Sequence, residues 1–125
     1  MRVLLDTHIF IWLMEDDPQL SAEGRKLISG SEELLVSSAS VWEMAIKVSI
    51  GKMRIDLEEL VSRMAMAGIR SLPVTNAHAK AVANLPLLHR DPFDRMLVAQ
   101  ALEEGLRLLT ADKRLAAYSD LVVMA

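Results

Sequence analysis

Cysteine is absent from the 125 residues, so the chain has neither a disulfide framework nor a thiolate metal site, and a cytoplasmic setting is the expected one. No apolar run approaches the roughly 20 residues of a membrane span. The apolar N-terminus is interrupted by Asp6 and His8 with no small-residue cleavage site after it, which argues against a secretory signal. Repeats, linkers and low-complexity stretches are also missing, and no excess of basic charge marks a nucleic-acid partner. What is present is a 52% apolar chain of ordinary domain length, enough to bury one full core and read as a single domain over residues 1–125.

The net charge of −3 carries less information than its placement. Setting aside four acids discussed below, 13 of the 17 remain against 14 Lys and Arg. Arg90 and Arg95 flank Asp94, and Lys113 and Arg114 follow Asp112, so the local pattern tolerates a polyanionic substrate.

Strand-like and helix-like segments alternate, which predicts an α/β fold: a central, mainly parallel sheet of about five strands with helices on both faces. The expected strands are Arg2–Leu5, Leu34–Ser37, an edge strand over Ile69–Val74 that tolerates Pro73, a run at 106–110, and Leu121–Val123. The expected helices are a short one through Ile9–Leu13, one capped by Ser21 and ending near Gly30, and one from about Ser40 to Ile50. Three more follow: one capped by Asp56, one capped by Thr75 with Ala79, Val82 and Ala83 facing the core, and one opened by Asp91-Pro92 and ended by Gly105. A last short helix starts at Asp112.

Four acids stand where strands hand over to helices or at a neighbouring helix start: Asp6, Glu43, Asp94 and Asp112. Each has a structural reading. Asp6 suits an N-cap, Glu43 completes a Ser40-x-x-Glu capping box, Asp94 complements a helix dipole behind the Asp91 cap, and Asp112 is a first-turn acid. Together they say more, because right-handed crossovers put these positions on one edge of a parallel sheet, where ligands bind. Two like charges 4 Å apart repel by about 4 kcal/mol at an effective dielectric near 20, and helix dipoles offset only about 0.3–1 kcal/mol each. Such a cluster either holds protons or takes a cation. All-oxygen donors without cysteine or a paired histidine favour Mg²⁺ or Mn²⁺ over Zn²⁺.

Around the acids, Lys47 lies four residues after Glu43, in the order that favours an ion pair, and Thr7 and Thr110 adjoin the cluster. His8, His78 and His89 show no mutual ligand spacing, and Trp12 and Trp42 read as core residues.

The motifs Leu4-Leu5-Asp6-Thr7-His8, Trp42-Glu43 with Lys47, His89-Arg90-Asp91-Pro92-Phe93-Asp94-Arg95 and Leu109-Thr110-Ala111-Asp112 run the length of the chain in a specific order. In that set the chain resembles the PIN-domain ribonucleases of the VapC type, toxins of type II toxin–antitoxin pairs. The resemblance implies a metal-dependent endoribonuclease whose acidic site comprises Asp6, Glu43, Asp94 and Asp112, holding Mg²⁺ or Mn²⁺ and leaving 3′-hydroxyl and 5′-phosphate ends. Asp91 matches a position common in one branch of the family and is expected as a helix cap or support behind the site; beside the acids, their placement in the chain makes Thr7, Lys47, Arg95 and Thr110 the expected substrate-binding or supporting residues. The resemblance also implies a VapB-type antitoxin whose C-terminal segment enters the acidic groove, and a homodimer, for which the apolar set Ile9, Phe10, Trp12, Leu13 and Met14 offers surface.

Three rivals remain at this level. An aspartyl-nucleophile phosphatase usually pairs its acids as Asp-x-Asp, whereas His8 occupies the second place here. A phospho-receiver would want an acid beside Asp6, and a non-catalytic binding module would have no need of the acid set.

Overall fold

The computed structural model describes residues 1–125. Five strands, β1 (Arg2–Leu5), β2 (Glu33–Ser37), β3 (Arg70–Leu72), β4 (Arg107–Thr110) and β5 (Val122–Met124), form one sheet in the order β3-β2-β1-β4-β5. Every pairing is parallel. The α-helices are α1 (Thr7–Glu15), α2 (Ala22–Ser29), α3 (Ser38–Ser49), α4 (Leu57–Met66), α5 (Asn76–Ala81) and α6 (Pro92–Glu104), with 3₁₀ turns at Val82–Asn84 and Lys113–Tyr118.

The apolar runs in the strands follow from burial on both faces, as parallel sheets require. Alternation along β1 sends Val3 and Leu5 to one side, among Ile9, Phe10, Val36, Met44 and Leu109. Leu4 goes to the other, among Leu35, Leu97, Val98 and Leu108. Strand order reverses at β1: the chain first builds outward through β2 and β3, then returns to lay β4 and β5 on the other flank. The crevice outside the carboxyl ends of β1 and β4 is therefore the switch point of the sheet.

Several expectations are corrected. β3 is shorter than Ile69–Val74, since Pro73 lies beyond its last paired residue, Leu72. β2 runs straight into α3, because the Ser37 side chain accepts from the Ala39 N–H and starts the helix early. Ser40 is thus inside the helix, and no Ser40–Glu43 capping box forms. In α5 the buried residue is His78, while Ala79 and Ala83 are exposed; the helix lasts only six residues before tightening into a 3₁₀ turn. Trp42, read as core, is 62% exposed.

Gly105 ends α6 at φ +66, and its N–H bonds the Ala101 carbonyl. An added Cβ would meet nothing within 4 Å, so the cost of Gly105→Ala is purely conformational, about 1 kcal/mol. The urea midpoint should fall accordingly with an unchanged m-value; an unshifted midpoint would contradict this.

Candidate active site

Each acid of the cluster reaches the crevice by a different local device. Asp6 follows β1 and extends its ladder by one bond, donating its N–H to the Leu109 carbonyl at 3.0 Å. Its side chain caps α1: Oδ1 accepts the Thr7 N–H at 2.6 Å, and Oδ2 accepts the Thr110 hydroxyl at 2.6 Å. Asp6 is buried, and that burial raises its pKa despite both hydrogen bonds.

Glu43 sits in the second turn of α3, buried, with each oxygen engaged. The Thr7 hydroxyl donates to Oε1 at 2.8 Å while also pairing with Ser40 Oγ at 2.8 Å, and Lys47 Nζ bonds Oε2 at 3.0 Å. Helical spacing makes the Lys47 contact possible, as the i, i+4 order suggested. Thr7 therefore links Asp6, through its N–H, to Glu43, through its hydroxyl.

Asp91 caps α6, its Oδ1 accepting the N–H groups of Phe93 at 2.8 Å and Asp94 at 3.2 Å. This aims the Asp94 carboxyl into the crevice from the helix's first turn. Desolvation, together with the charges of Asp6 and Asp91 and against the pull of His89, pushes Asp94 up from 3.8 to about 7. Asp112 is held the opposite way. Arg114 donates to it through Nε (3.0 Å) and Nη2 (2.8 Å), drawing its pKa down to about 2. The Asp112 N–H bonds Thr110 Oγ1 at 3.1 Å, so one hydroxyl ties two of the acids together.

Asp6, Glu43, Asp94 and Asp112 all line one crevice of about 310 Å³, joined by Asp91, Lys47, His8, Trp12, Ala111 and Arg114. Lys47 pairs with Glu43 and Arg114 with Asp112, so each of these two acids has its own cation. Asp6 and Asp94, the two with raised pKa values, have no lysine or arginine partner.

Two site residues escaped sequence reasoning. His89 is nearly buried, with Nε2 3.0 Å from Asp94 Oδ2 and 3.3 Å from Asp112 Oδ2. Its Nδ1 faces the Asp91 N–H at 3.4 Å, which leaves the proton on Nε2 to bridge the two acids. A signal existed: a histidine five residues before Asp94, just ahead of the Asp91-Pro92 cap, is placed to fold back over the helix start. Arg114 is the second, hidden as one of two adjacent basic residues.

Arg95 does not join the crevice. Its guanidinium donates to the carbonyls of Pro86 (3.0 Å) and Val82 (3.2 Å) and to Tyr118 Oη (3.2 Å), strapping the 82–90 loop to α6. Trp42 stacks edge-on against Phe93, ring centres 5.1 Å apart, in an apolar groove of about 510 Å³ with Val74, Pro92 and Met96.

Thr110→Val should destabilise the protein by about 1–3 kcal/mol, because it removes the hydroxyl donor to a buried carboxylate oxygen and the acceptor of the Asp112 N–H. Thermal unfolding in EDTA checks this, and an unchanged midpoint would show that the bond to Asp6 contributes nothing.

A five-stranded parallel sheet in the order 3-2-1-4-5, with acids gathered at its switch point, defines an α/β domain with an acidic ligand crevice. The PIN-domain family model matches residues 3–121, and the chain belongs to that family. It is 30% identical over 118 residues to Ribonuclease VapC22 of Mycobacterium tuberculosis (strain ATCC 25618 / H37Rv), covering 93% of this chain and 91% of that protein. Solved structures share the fold at low identity. The VapBC2 complex of Rickettsia felis, bound to a promoter DNA fragment, matches at TM-score 0.72 and 15% identity over 100% of this chain and 98% of that one. A toxin–antitoxin complex from Klebsiella pneumoniae matches at 0.66 and 20% over 97% and 95%. DNA-bound VapBC from Salmonella typhimurium matches at 0.68 and 14% over 100% and 97%.

Proposed function

We propose that this chain, residues 1–125 acting as one unit, is a divalent-cation-dependent endoribonuclease and the toxin of a toxin–antitoxin pair. The observation that carries the reading is the convergence of Asp6, Glu43, Asp94 and Asp112 on one crevice at the sheet's switch point. The likeness to Ribonuclease VapC22 along nearly the whole chain supports the RNA substrate.

The donor set fits a hard cation. It offers carboxylate oxygens with no thiolate, and the facing oxygens of Asp94 and Asp112 lie within 4.8 Å of one another. The raised pKa values of Asp6 and Asp94 mark where positive charge is wanting. Asp6, Glu43, Asp94 and Asp112 would hold Mg²⁺ or Mn²⁺, directly or through water. When bound, such an ion lowers the pKa of an attacking water and offsets charge on the scissile phosphate.

The protein's own part is orientation. Thr7 and Lys47 fix the two oxygens of Glu43, Thr110 fixes Asp6, and His89 Nε2 bridges Asp94 and Asp112. Preset carboxylates need no rearrangement when substrate arrives, which is where preorganised sites gain rate.

For partners, we propose a VapB-type antitoxin and a second copy of the chain; the solved complexes of like fold are toxin–antitoxin assemblies. Of the apolar set expected at an interface, Ile9 and Phe10 are fully buried in the core. Leu13 and Met14 instead line an open apolar groove with Ile28, Leu34, Met66 and Ile69, which leaves a surface for a protein partner. No helix is long and apolar enough to cross a membrane, which accords with the proposed cytoplasmic setting.

The test is cleavage of structured RNAs by the purified chain with Mg²⁺, Mn²⁺ or EDTA. Cleavage with either ion, leaving 3′-hydroxyl and 5′-phosphate ends, is the expected result; undiminished cleavage in EDTA would defeat the reading.

A further inference from the structure

The acidic crevice is lined by two side chains of permanent positive charge, and they differ in how they are held. Lys47 is half-buried and bonded to buried Glu43, in a pair that helix geometry enforces. Arg114 is 68% exposed, and the hydrogen bonds of its side chain all go to Asp112, through Nε to Oδ1 and Nη2 to Oδ2. Its planar fork thus grips a carboxylate in the geometry that equally suits a phosphate.

Its position is also distinctive. A second cleft, about 350 Å³, is lined by Leu87, Leu88, His89, Arg90, Asp91 and Arg114. Asp91 and Arg114 belong to both this cleft and the acidic crevice, so Arg114 stands at the passage between them, with exposed Arg90 beyond. A strand whose scissile phosphate lay among the acids would carry its neighbouring phosphate past Arg114.

We propose that Arg114 is a substrate-phosphate-binding residue held in reserve by Asp112: it neutralises that carboxylate while the crevice lacks a cation, and passes to an RNA phosphate once a cation shares Asp112. The proposal rests on the nuclease reading. Its physical basis is competition. Guanidinium and cation draw on the same two Asp112 oxygens and repel each other across them, so loading the site weakens the Arg114 grip. The exposed side chain has no other bond to break.

Competition and phosphate binding predict effects of opposite sign from one substitution. Arg114→Gln should tighten Mn²⁺ binding, read by calorimetry without RNA, by roughly three- to tenfold. On a fluorogenic single-stranded RNA the same variant should raise KM about tenfold, with the loss falling on KM more than on kcat. The slope of log KM against log salt should fall by about 0.7, the loss of one phosphate contact. Arg114→Lys, keeping charge without the fork, should leave Mn²⁺ affinity near that of the wild type and give an intermediate KM. A residue that merely orients Asp112 would show the reverse pattern: weaker Mn²⁺ binding, lower kcat and an unchanged salt slope. Weaker Mn²⁺ binding, an unchanged salt slope, or a loss that falls on kcat with KM unchanged in Arg114→Gln overturns the proposal while leaving the nuclease reading intact. Failure of the wild-type protein to cleave RNA with Mn²⁺ bound overturns both.

Discussion

Asp6→Asn is expected to lower cation-supported RNA cleavage by about a thousandfold or more while leaving the protein folded. The two halves of that expectation come from different parts of the same side chain. Asn keeps a carbonyl oxygen to accept the Thr7 N–H and so preserves the α1 cap. The Thr110 hydroxyl, which now donates to Oδ2, can turn to accept from the new amide. What disappears is a negative charge that burial already penalises, so the fold loses little and the site loses the cation ligand proposed at its centre. Cleavage rates under single-turnover conditions, beside circular dichroism of the variant, separate the two effects. A variant that cleaved like the wild type would remove Asp6 from the chemistry, and the crevice would need another explanation.

The second large effect is on stability, and its sign follows from the raised carboxyls. Asp94 titrates near 7 in the folded chain against an ordinary 3.8. Between those values the folded protein holds a proton that the unfolded chain has released, so stability in EDTA should decline as pH rises from about 4 to 7 and level off above it. Asp6, also raised, adds to the decline. A shift of about three units corresponds to roughly 4 kcal/mol for a sheltered group. Asp94 faces an open crevice where water screens it, which reduces the expected loss to about 1–2 kcal/mol. For a chain of this length that is roughly 4–8 °C in Tm. Millimolar Mn²⁺ or Mg²⁺ should restore most of the loss, with a larger gain at pH 8 than at pH 5. Asp94→Asn should flatten most of the pH slope and raise Tm at pH 8 in EDTA, although it removes a proposed ligand. Thermal scans over that grid decide the matter: a cation effect equal at both pH values would mean the ion does not bind at these acids.

Asp112 behaves oppositely. Its pKa of about 2, set by Arg114, means its ion pair contributes above the ordinary carboxylate range and is lost only as pH falls toward 2. The two carboxylates lie close enough to share His89, yet they are pushed apart by environment. Such divergence is typical of functional sites.

Much of this was legible along the chain because it depends on local chemistry. Apolar runs identified β1, β2 and β4; Asp91-Pro92 and Gly105 bounded α6 to the residue; the order of strands and helices implied a parallel sheet with acids on one edge. Periodicity was less reliable where elements are short. In α5, six residues give too few turns to define a face, and the Thr75 cap with His78 at its third position decided the burial instead. Trp42 misled because a tryptophan at helical spacing reads as core, whereas its neighbour across the groove, Phe93, comes from a helix fifty residues away.

By itself, then, the sequence determined the α/β class, the helix boundaries set by strong caps, and which four carboxylates are brought to the sheet's edge, because strand and helix signals are carried by neighbouring residues. Tertiary structure alone decided that His89 bridges two of those acids, that Arg95 straps a loop while Arg114 faces the crevice, and that Thr7 and Thr110 knit the acids together. Those contacts join residues up to 104 positions apart, and direction and distance across such a gap are set by packing rather than by spacing.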